Sequence, residues 1–369
     1  MPLKPRRNLL MPLLALAAQL AGCGSSNPYF QADQAHHRPG GFQNRYTPFE
    51  PKSLADFLRW QWQAWRAGLP PAPQQPTPSQ PADLNFILAN ARAGRAMVPA
   101  VTWIGHATAL VQAGGLNMLT DPVFSERASP LGFLGPRCAQ PPGLSPAQLP
   151  HIDLVLVSHN HYDHLDEASV LSLAAQAGGS PLFVVPLGLK PWLAERGIAH
   201  VVELDWWQSH KLGDTEVMLT PAQHWSGRGL HDRLATLWGG FAVLQPDFHW
   251  FYSGDTGYSR DFADIRQHLA SRQGDAGFDL ALLPVGAYEP RWFMATQHVN
   301  PDEAVTMHRD LGARRSLGVH WGTFNLTDEA LDQPPRDLAA ARRAQGVADE
   351  AFFVLAIGQT RRLPPRQAR

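Results

Sequence analysis

The feature that most constrains this chain is an apolar segment followed at once by a dense group of ionisable side chains. Residues 154–157 read Leu-Val-Leu-Val, and four residues of metal-ligand type come directly after them: His159, His161, Asp163 and His164. A continuous apolar run predicts a buried strand, and α/β folds place ligand sites beyond the carboxyl ends of such strands. Because ionisable groups are costly to bury without a partner, the cluster predicts a metal site. Its nitrogen and oxygen ligands suit zinc and also tolerate iron or manganese.

Three later strands are predicted to end in the same way, each shortly before a residue that can bind a metal: His224, Asp255 and His320. Taken singly, each of them is more often a hydrogen-bonded core or loop residue, so the metal interpretation depends on the first cluster. The seven residues together are enough for two metal ions. Side chains two apart in an extended segment point the same way, so the first cluster can face two neighbouring centres. Two adjacent ions stabilise both the entering and the leaving oxygen of an in-line displacement.

Two further polar residues follow predicted strands, namely His106 and Asp121. Each is expected to support the metal ligands from behind. The alternative for His106 is a turn histidine with a structural hydrogen bond. The net charge of −1, from 31 basic and 32 acidic residues, predicts no broad basic field, so nucleic acid is not an expected partner.

The amino-terminal sequence is typical of a bacterial lipoprotein. A basic start and a short apolar run lead to Leu20-Ala21-Gly22-Cys23, which resembles a lipobox and predicts lipidation of Cys23. The alternatives are an ordinary signal peptide cleaved nearby and a loosely held anchor. We expect a lipid-anchored protein of the bacterial cell envelope that faces the periplasm. The outer membrane is preferred, because Gly24 is not the aspartate that resembles an inner-membrane retention signal. Cys138 then has no partner, and no disulfide is expected.

The chain divides into five predicted parts. They are a signal peptide at 1–22, a solvated tether at 23–50, a helical extension with a linker at 51–97, a main domain at 98–360 that carries the predicted metal ligands, and a tail at 361–369. Within the extension, Ser53 and Asp56 form a capping pair that predicts a helix as far as Gly68. This helix either docks on its own domain or lies against the membrane surface.

The order of the predicted elements indicates an α/β fold. Strands come in two groups, each followed by helices, which predicts two sheets packed face to face with helices outside. The strings His159-Asn-His-Tyr-Asp-His164 and Gly254-Asp255-Thr256, with the late His320, resemble the metallo-β-lactamase superfamily. That resemblance implies a four-layer αββα sandwich. Over about residues 98–360, longer strings such as Gly286–Met294 resemble the family of N-acylphosphatidylethanolamine-hydrolysing phospholipases D.

This resemblance implies a reaction and a set of ligands. A hydroxide bridging two zinc ions would attack the phosphorus of a phospholipid and release N-acylethanolamine and phosphatidic acid. The first ion would be bound by His159, His161 and His224. The second would be bound by Asp163, His164 and His320, with Asp255 bridging both ions. Histidine at position 161 favours zinc, because related diiron proteins tend to carry an acidic residue there.

The resemblance also implies residues that act on the substrate. Asp163, Asp255 and His298 are the expected catalytic residues. The expected substrate contacts are Tyr162, Tyr288, Gln297 and His298. For Tyr288 and Gln297 the alternative is that they brace their loops. The expected partners are a phospholipid substrate, a membrane held through lipidated Cys23, and a second copy in a possible homodimer.

Two other functional classes compete with a lipid phosphodiesterase. One is another dinuclear hydrolase on the same fold, such as a lactonase or a β-lactamase. Asp255 weighs against a β-lactamase, whose equivalent site usually uses a cysteine and no bridging carboxylate. The other is a non-catalytic envelope lipoprotein, against which the intact set of seven ligands argues.

Overall fold

The computed structural model describes residues 26–229 and 231–366, so the predicted signal peptide and Cys23 lie outside the described residues. The strands in chain order are β1 (His37–Arg38), β2 (Gly41–Phe42), β3 (Ala100–Gly105), β4 (Thr108–Ala113), β5 (Leu116–Thr120), β6 (Leu154–Leu156), β7 (Leu182–Pro186), β8 (Val201–Leu204), β9 (Ser209–Leu212), β10 (Thr215–Thr220), β11 (Gly240–Gln245), β12 (Phe248–Tyr252), β13 (Leu280–Pro284), β14 (Ser316–Val319), β15 (Phe352–Phe353) and β16 (Thr360–Arg362). The helices are α1 (Leu54–Ala67), α2 (Leu84–Ala91), α3 (Glu167–Ala174), α4 (Leu189–Ala194), α5 (Asp261–His268), α6 (Ala270–Gln273), α7 (Arg291–Met294), α8 (Pro301–Asp310) and α9 (Gln333–Gln345).

Two seven-stranded sheets with matching topology form the centre of the molecule. Their strand orders are β16-β3-β4-β5-β6-β7-β8 and β9-β10-β11-β12-β13-β14-β15. In each sheet three antiparallel pairings are followed by three parallel ones. Parallel strands need long crossover connections, and α3, α4, α5 and α8 lie in those connections.

The side chains of the β6 segment show how the sheets are layered. Leu154 and Leu156 join the central core between the sheets, whereas Val155 and Val157 join a second core with residues of α3 and α4. Successive side chains of a strand point to opposite faces, so each sheet buries one face on its partner and the other under helices. The predicted αββα sandwich is thereby confirmed.

The amino-terminal segment differs from the solvated tether that its polar composition predicts. His36 and His37 are buried, and their Nε2 atoms lie 2.6 and 2.9 Å from the two carboxylate oxygens of Asp205. The segment also forms the small sheet of β1 and β2. The tether interpretation of residues 26–50 is therefore wrong, because the partner that buries these polar groups lies far away in the sequence.

The carboxyl-terminal boundary is also displaced from its predicted position. Residues 361 and 362 belong to β16, which pairs with β3 at the edge of the first sheet, and Leu363 is buried in the core. The predicted tail at 361–369 therefore begins too early, since its first residues complete a sheet.

Helix α1 forms where its capping residues predict. Ser53 and Asp56 form the reciprocal capping box, and Gly68 ends the helix in the left-handed conformation that glycine adopts without a steric penalty. Trp60 packs on α7, and its Nε1 donates a hydrogen bond of 2.8 Å to Asp328. Docking on its own domain is thus confirmed for one face of the helix. Within residues 26–229 and 231–366, no helix is long and apolar enough to cross a membrane.

Candidate metal centre

The predicted ligands meet at one edge of the two sheets because each follows the end of a strand. The first cluster follows β6, His224 follows β10, Asp255 follows β12 and His320 follows β14. The carboxylate of Asp255 joins the two halves of the group. Its Oδ2 lies 3.1 Å from Nε2 of both His164 and His320, and 4.0 Å from Nε2 of His224.

One half of the centre consists of three histidines. Nδ1 of His161 lies 2.8 Å from Nε2 of His159 and 3.3 Å from Nε2 of His224. Burial lowers the pKa of all three imidazoles, that of His161 to about 4 and the other two well below their usual value. Each ring is therefore neutral at pH 7 and offers the lone pair that a metal ion requires.

The other half is richer in negative charge. Oδ2 of Asp163 lies 3.0 Å from Nε2 of His106, 3.4 Å from that of His320 and 3.5 Å from that of His164. These four side chains lie close enough together to hold one metal ion. The structure thus brings together the two ligand groups that the sequence predicts, with His106 added to the second.

Neighbouring charges shift the pKa values of the ionisable side chains in this half of the centre. Burial alone would raise the pKa of Asp255 and Asp163, but the surrounding histidines, His164 foremost, together outweigh it, and both carboxyls keep a pKa well below the usual value. Burial alone would lower the pKa of His320, but the Asp255 and Asp163 carboxylates together outweigh it and raise that pKa to about 9. Carboxylates that stay ionised in a buried site are suited to bind cations.

Several buried polar atoms of the centre have no hydrogen-bond partner within the described ranges. They include Nε2 of His164 and His320, and Oδ1 of Asp255. Buried polar atoms are rarely left without a partner in folded proteins, and metal coordination would satisfy all three. The residues present therefore fit a bound metal.

Asp121 orients the ligands from behind. Its fully buried carboxylate accepts a hydrogen bond from Nδ1 of His164 at 2.6 Å and another from the hydroxyl of Tyr252. The Ser158 hydroxyl donates to the same carboxylate at 2.5 Å, so it must accept from Nδ1 of His159, which lies 2.9 Å away. These bonds leave Nε2 of both histidines to face the centre, as is usual for metal-binding imidazoles.

The backbone of the site is held in conformations that non-glycine residues seldom adopt. His106, Asp121 and His320 have positive φ angles of 50°, 29° and 61°. Such conformations persist only where the surrounding structure fixes them, and they cluster at functional sites. Gly254 also has a positive φ, and a Cβ there would lie 2.6 Å from that of Ser158. The loop that carries Asp255 therefore packs directly on the loop that carries the first cluster.

The residues predicted to contact substrate fall into two groups. The hydroxyl of Tyr162 donates to the backbone carbonyl of Arg228, at 2.9 Å, and that of Tyr288 to Asp337, at 2.6 Å, so each braces a loop. Gln297 and His298 lie at the centre. The backbone carbonyl of Gln297 is 2.9 Å from Nδ1 of His224, and Nδ1 of His298 is 3.8 Å from Oδ2 of Asp255.

The structure adds to the site three residues that were not among the predicted site residues. Oδ1 of Asn44 accepts a hydrogen bond from the backbone N–H of His224, at 3.1 Å. The ring of Trp225 lies 4.3 Å from that of His161 and stacks on Phe49. The position of Trp225 directly after His224 is a local signal for its role, whereas nothing in the sequence near Asn44 indicates that contact.

The sandwich and its cluster of histidines and carboxylates define a class, the metal-dependent hydrolases of the metallo-β-lactamase fold. A family model described as "Beta-lactamase superfamily domain" matches residues 116–321. The isothiocyanate hydrolase from Delia radicum gut bacteria has the same fold, with a TM-score of 0.56 and 19% identity over 72% of this chain and 99% of that one.

Sequence relatives in other organisms show which members of this class the chain resembles. "N-acyl-phosphatidylethanolamine-hydrolyzing phospholipase D 1" of Caenorhabditis elegans is 40% identical over 272 residues, which cover 70% of this chain and 74% of that protein. An uncharacterized protein of Mycobacterium tuberculosis is 36% identical over 352 residues, which cover 92% of this chain and 88% of that protein. The chain belongs to the metallo-β-lactamase superfamily, and within it resembles the N-acylphosphatidylethanolamine-hydrolysing phospholipases D.

Proposed function

We propose that this chain is a zinc-dependent phosphodiesterase of the phospholipase D type. It hydrolyses N-acylphosphatidylethanolamine-like phospholipids to N-acylethanolamine and phosphatidic acid. The observation that carries the proposal is the position of Asp255, whose carboxylate lies between the two ligand groups and faces both. A centre that binds two ions through a shared carboxylate suits displacement at phosphorus. The similarity to the Caenorhabditis elegans phospholipase supports a lipid diester as the substrate.

The seven ligands form one group for each zinc ion, with one residue shared between the groups. His159, His161 and His224 would hold one zinc ion, and Asp163, His164 and His320 the other. Asp255 would bind both. Bound zinc supplies an activated water as nucleophile and offsets negative charge on the phosphoryl oxygens. The set of nitrogen and oxygen donors is one that zinc accepts in other hydrolases.

The remaining polar groups position these ligands and the substrate. Asp121 fixes the orientation of His164, and the carbonyl of Gln297 fixes that of His224. Burial lowers the pKa of His298 to about 4, so its ring is neutral at pH 7. Its Nδ1 has no partner among the described residues. His298 is therefore placed to form a hydrogen bond with a phosphoryl oxygen of the substrate.

We further propose that the enzyme is a lipoprotein held in the bacterial cell envelope, with the outer membrane preferred, by acyl chains on Cys23. Support comes from the sequence of residues 1–23, in which the cysteine follows a basic start and a short apolar run. Mass spectrometry of the mature amino terminus tests this proposal. An unmodified terminus that begins elsewhere than at residue 23 would contradict it.

The proposed activity is tested with the full chain on three substrates: N-acylphosphatidylethanolamine, a simple phosphodiester and a lactone. Wild type is compared with Asp255→Ala and with a matched control, Asp247→Ala. Asp247 is exposed and precedes β12, whereas Asp255 follows the same strand at its other end. We expect lipid hydrolysis in the wild type and the control, and its loss in Asp255→Ala.

Two results would overturn the assignment. Lactone turnover without lipid hydrolysis in the wild type would indicate a different hydrolase on the same fold. Elemental analysis that finds almost no bound metal in active protein would exclude the metal-dependent mechanism altogether.

A further inference from the structure

One face of α1 is apolar and exposed to solvent, although the helix docks through its other face. The docked face is formed by Trp60 and Ala64. The open face carries four large side chains that are 43, 57, 55 and 72% exposed, namely Leu54, Leu58, Trp62 and Trp65. Their spacing of four, four and three residues places them in one stripe along the helix. A contiguous exposed patch of this kind marks an interaction surface.

Two arginines of α1 lie against tryptophans of this region. The guanidinium of Arg66 lies 4.8 Å from the ring centre of Trp62. That of Arg59 lies 4.9 Å from the ring centre of Trp292, which is itself 40% exposed and extends the surface onto α7. The single acidic residue of α1, Asp56, is committed to the helix cap. The surface therefore combines tryptophan and leucine with positive charge.

This surface is joined to the metal centre by direct contacts. Trp60, on the docked face, packs on Met294 of α7. The sulfur of Met294 lies 3.5 Å from Nε2 of Gln297, whose backbone carbonyl bonds to the metal ligand His224. A chain of contacts therefore connects α1 to the metal ligand His224.

We propose that this α1 surface, formed by Leu54, Leu58, Trp62, Trp65 and Trp292, inserts into the headgroup region of a phospholipid bilayer and holds the metal centre at the membrane. Tryptophan with arginine is the composition of interfacial helices, in which the rings lie at headgroup level and the cations meet lipid phosphates. A second copy of the chain would instead oppose arginine with arginine across a twofold axis. The inference rests on the proposed lipid substrate, but its test measures membrane binding and does not require the enzyme to hydrolyse lipid.

The test follows an environment-sensitive fluorophore attached to a cysteine on the surface. In a Cys23→Ser background, Trp62→Cys places the label on the open face, and Leu171→Cys is the matched control. Leu171 is 39% exposed on α3, a helix that packs on the first sheet. Burial raises the pKa of the Cys138 thiol to about 11, so it reacts slowly, and the chain without an added cysteine serves as the blank.

Each labelled full chain is mixed with vesicles of phosphatidylcholine and phosphatidylglycerol, which contain no substrate. We expect the label at 62 to shift to the blue and to gain at least about twofold in intensity, and the label at 171 to stay unchanged. Equal responses at the two positions, or none at 62, would overturn the proposal. A blue shift at 62 that grows with protein concentration without lipid would show that a second copy covers the surface, which also overturns it.

Discussion

Replacing Asp121 by asparagine tests whether the metal ligands are oriented from behind. The carboxylate accepts from Nδ1 of His164, from the hydroxyls of Ser158 and Tyr252, and from the backbone N–H of Ser158. An asparagine carbonyl can occupy the position of Oδ2 and keep three of these bonds. Its NH2 group then faces the Ser158 N–H, which loses its acceptor at a cost of about 1–3 kcal/mol. Because a neutral amide holds Nδ1 of His164 more weakly than a carboxylate does, and the Ser158 loop is disturbed as well, metal affinity should fall about 10–100-fold.

Metal affinity is measured by competition with a chelator, and stability by denaturant unfolding of the metal-free protein. Asp153→Asn is the matched control, because Asp153 also accepts a backbone N–H, at 2.7 Å, but precedes β6 at the end away from the metal ligands. We expect the control to lose some stability and to retain its metal. If Asp121→Asn binds metal as tightly as wild type, or if the control weakens binding equally, the proposed role of Asp121 is wrong.

Three further outcomes follow from individual contacts. Tyr288→Phe should lower the free energy of unfolding by about 1 kcal/mol, as expected for one buried hydrogen bond, and should leave lipid turnover unchanged in a kinetic assay. Burial lowers the pKa of His308 from 6.5 to about 4, so the unfolded chain takes up the proton first as the pH falls. The stability due to a neutral His308 is therefore complete above pH 6.5 and decreases by about 2 kcal/mol between pH 7 and pH 5. His308→Gln should remove that decrease in unfolding curves at the two pH values. Asp205→Ala should release the amino-terminal segment, so that trypsin cleaves at Arg38 and Arg45 faster than in wild type; unchanged cleavage would refute its role as the attachment point.

The layered fold and the ligand set could be predicted because their signals are local. A strand such as β6 is recognised from a few adjacent apolar residues, and the ligands follow it directly in the sequence. The same holds for α1, whose capping box lies within four residues. In each case the physical cause and the sequence pattern occupy the same short segment.

The features that could not be predicted depend on contacts between distant parts of the chain. The two polar residues His36 and His37 look solvated until Asp205, about 170 positions later, is placed beside them. β16 reads as a polar tail because it lies at a sheet edge, where arginine is tolerated and an apolar pattern is not required. The hydroxyl of Tyr288 is bound by Asp337 on a helix that no local pattern connects to its loop.

The amino-terminal segment is for this reason part of the site and not only a spacer. Asp205 holds its first half, Asn44 bonds to the backbone of the metal ligand His224, and Phe49 stacks on Trp225 beside the first cluster. Because ligands must be held within a few tenths of an ångström, a segment that fixes the His224 loop acts on metal binding itself. The chain that would lead from the proposed lipid anchor therefore enters the wall of the metal centre before it reaches the first sheet. The proposed lipid anchor and the residues that fix the His224 loop thus belong to one continuous stretch of sequence.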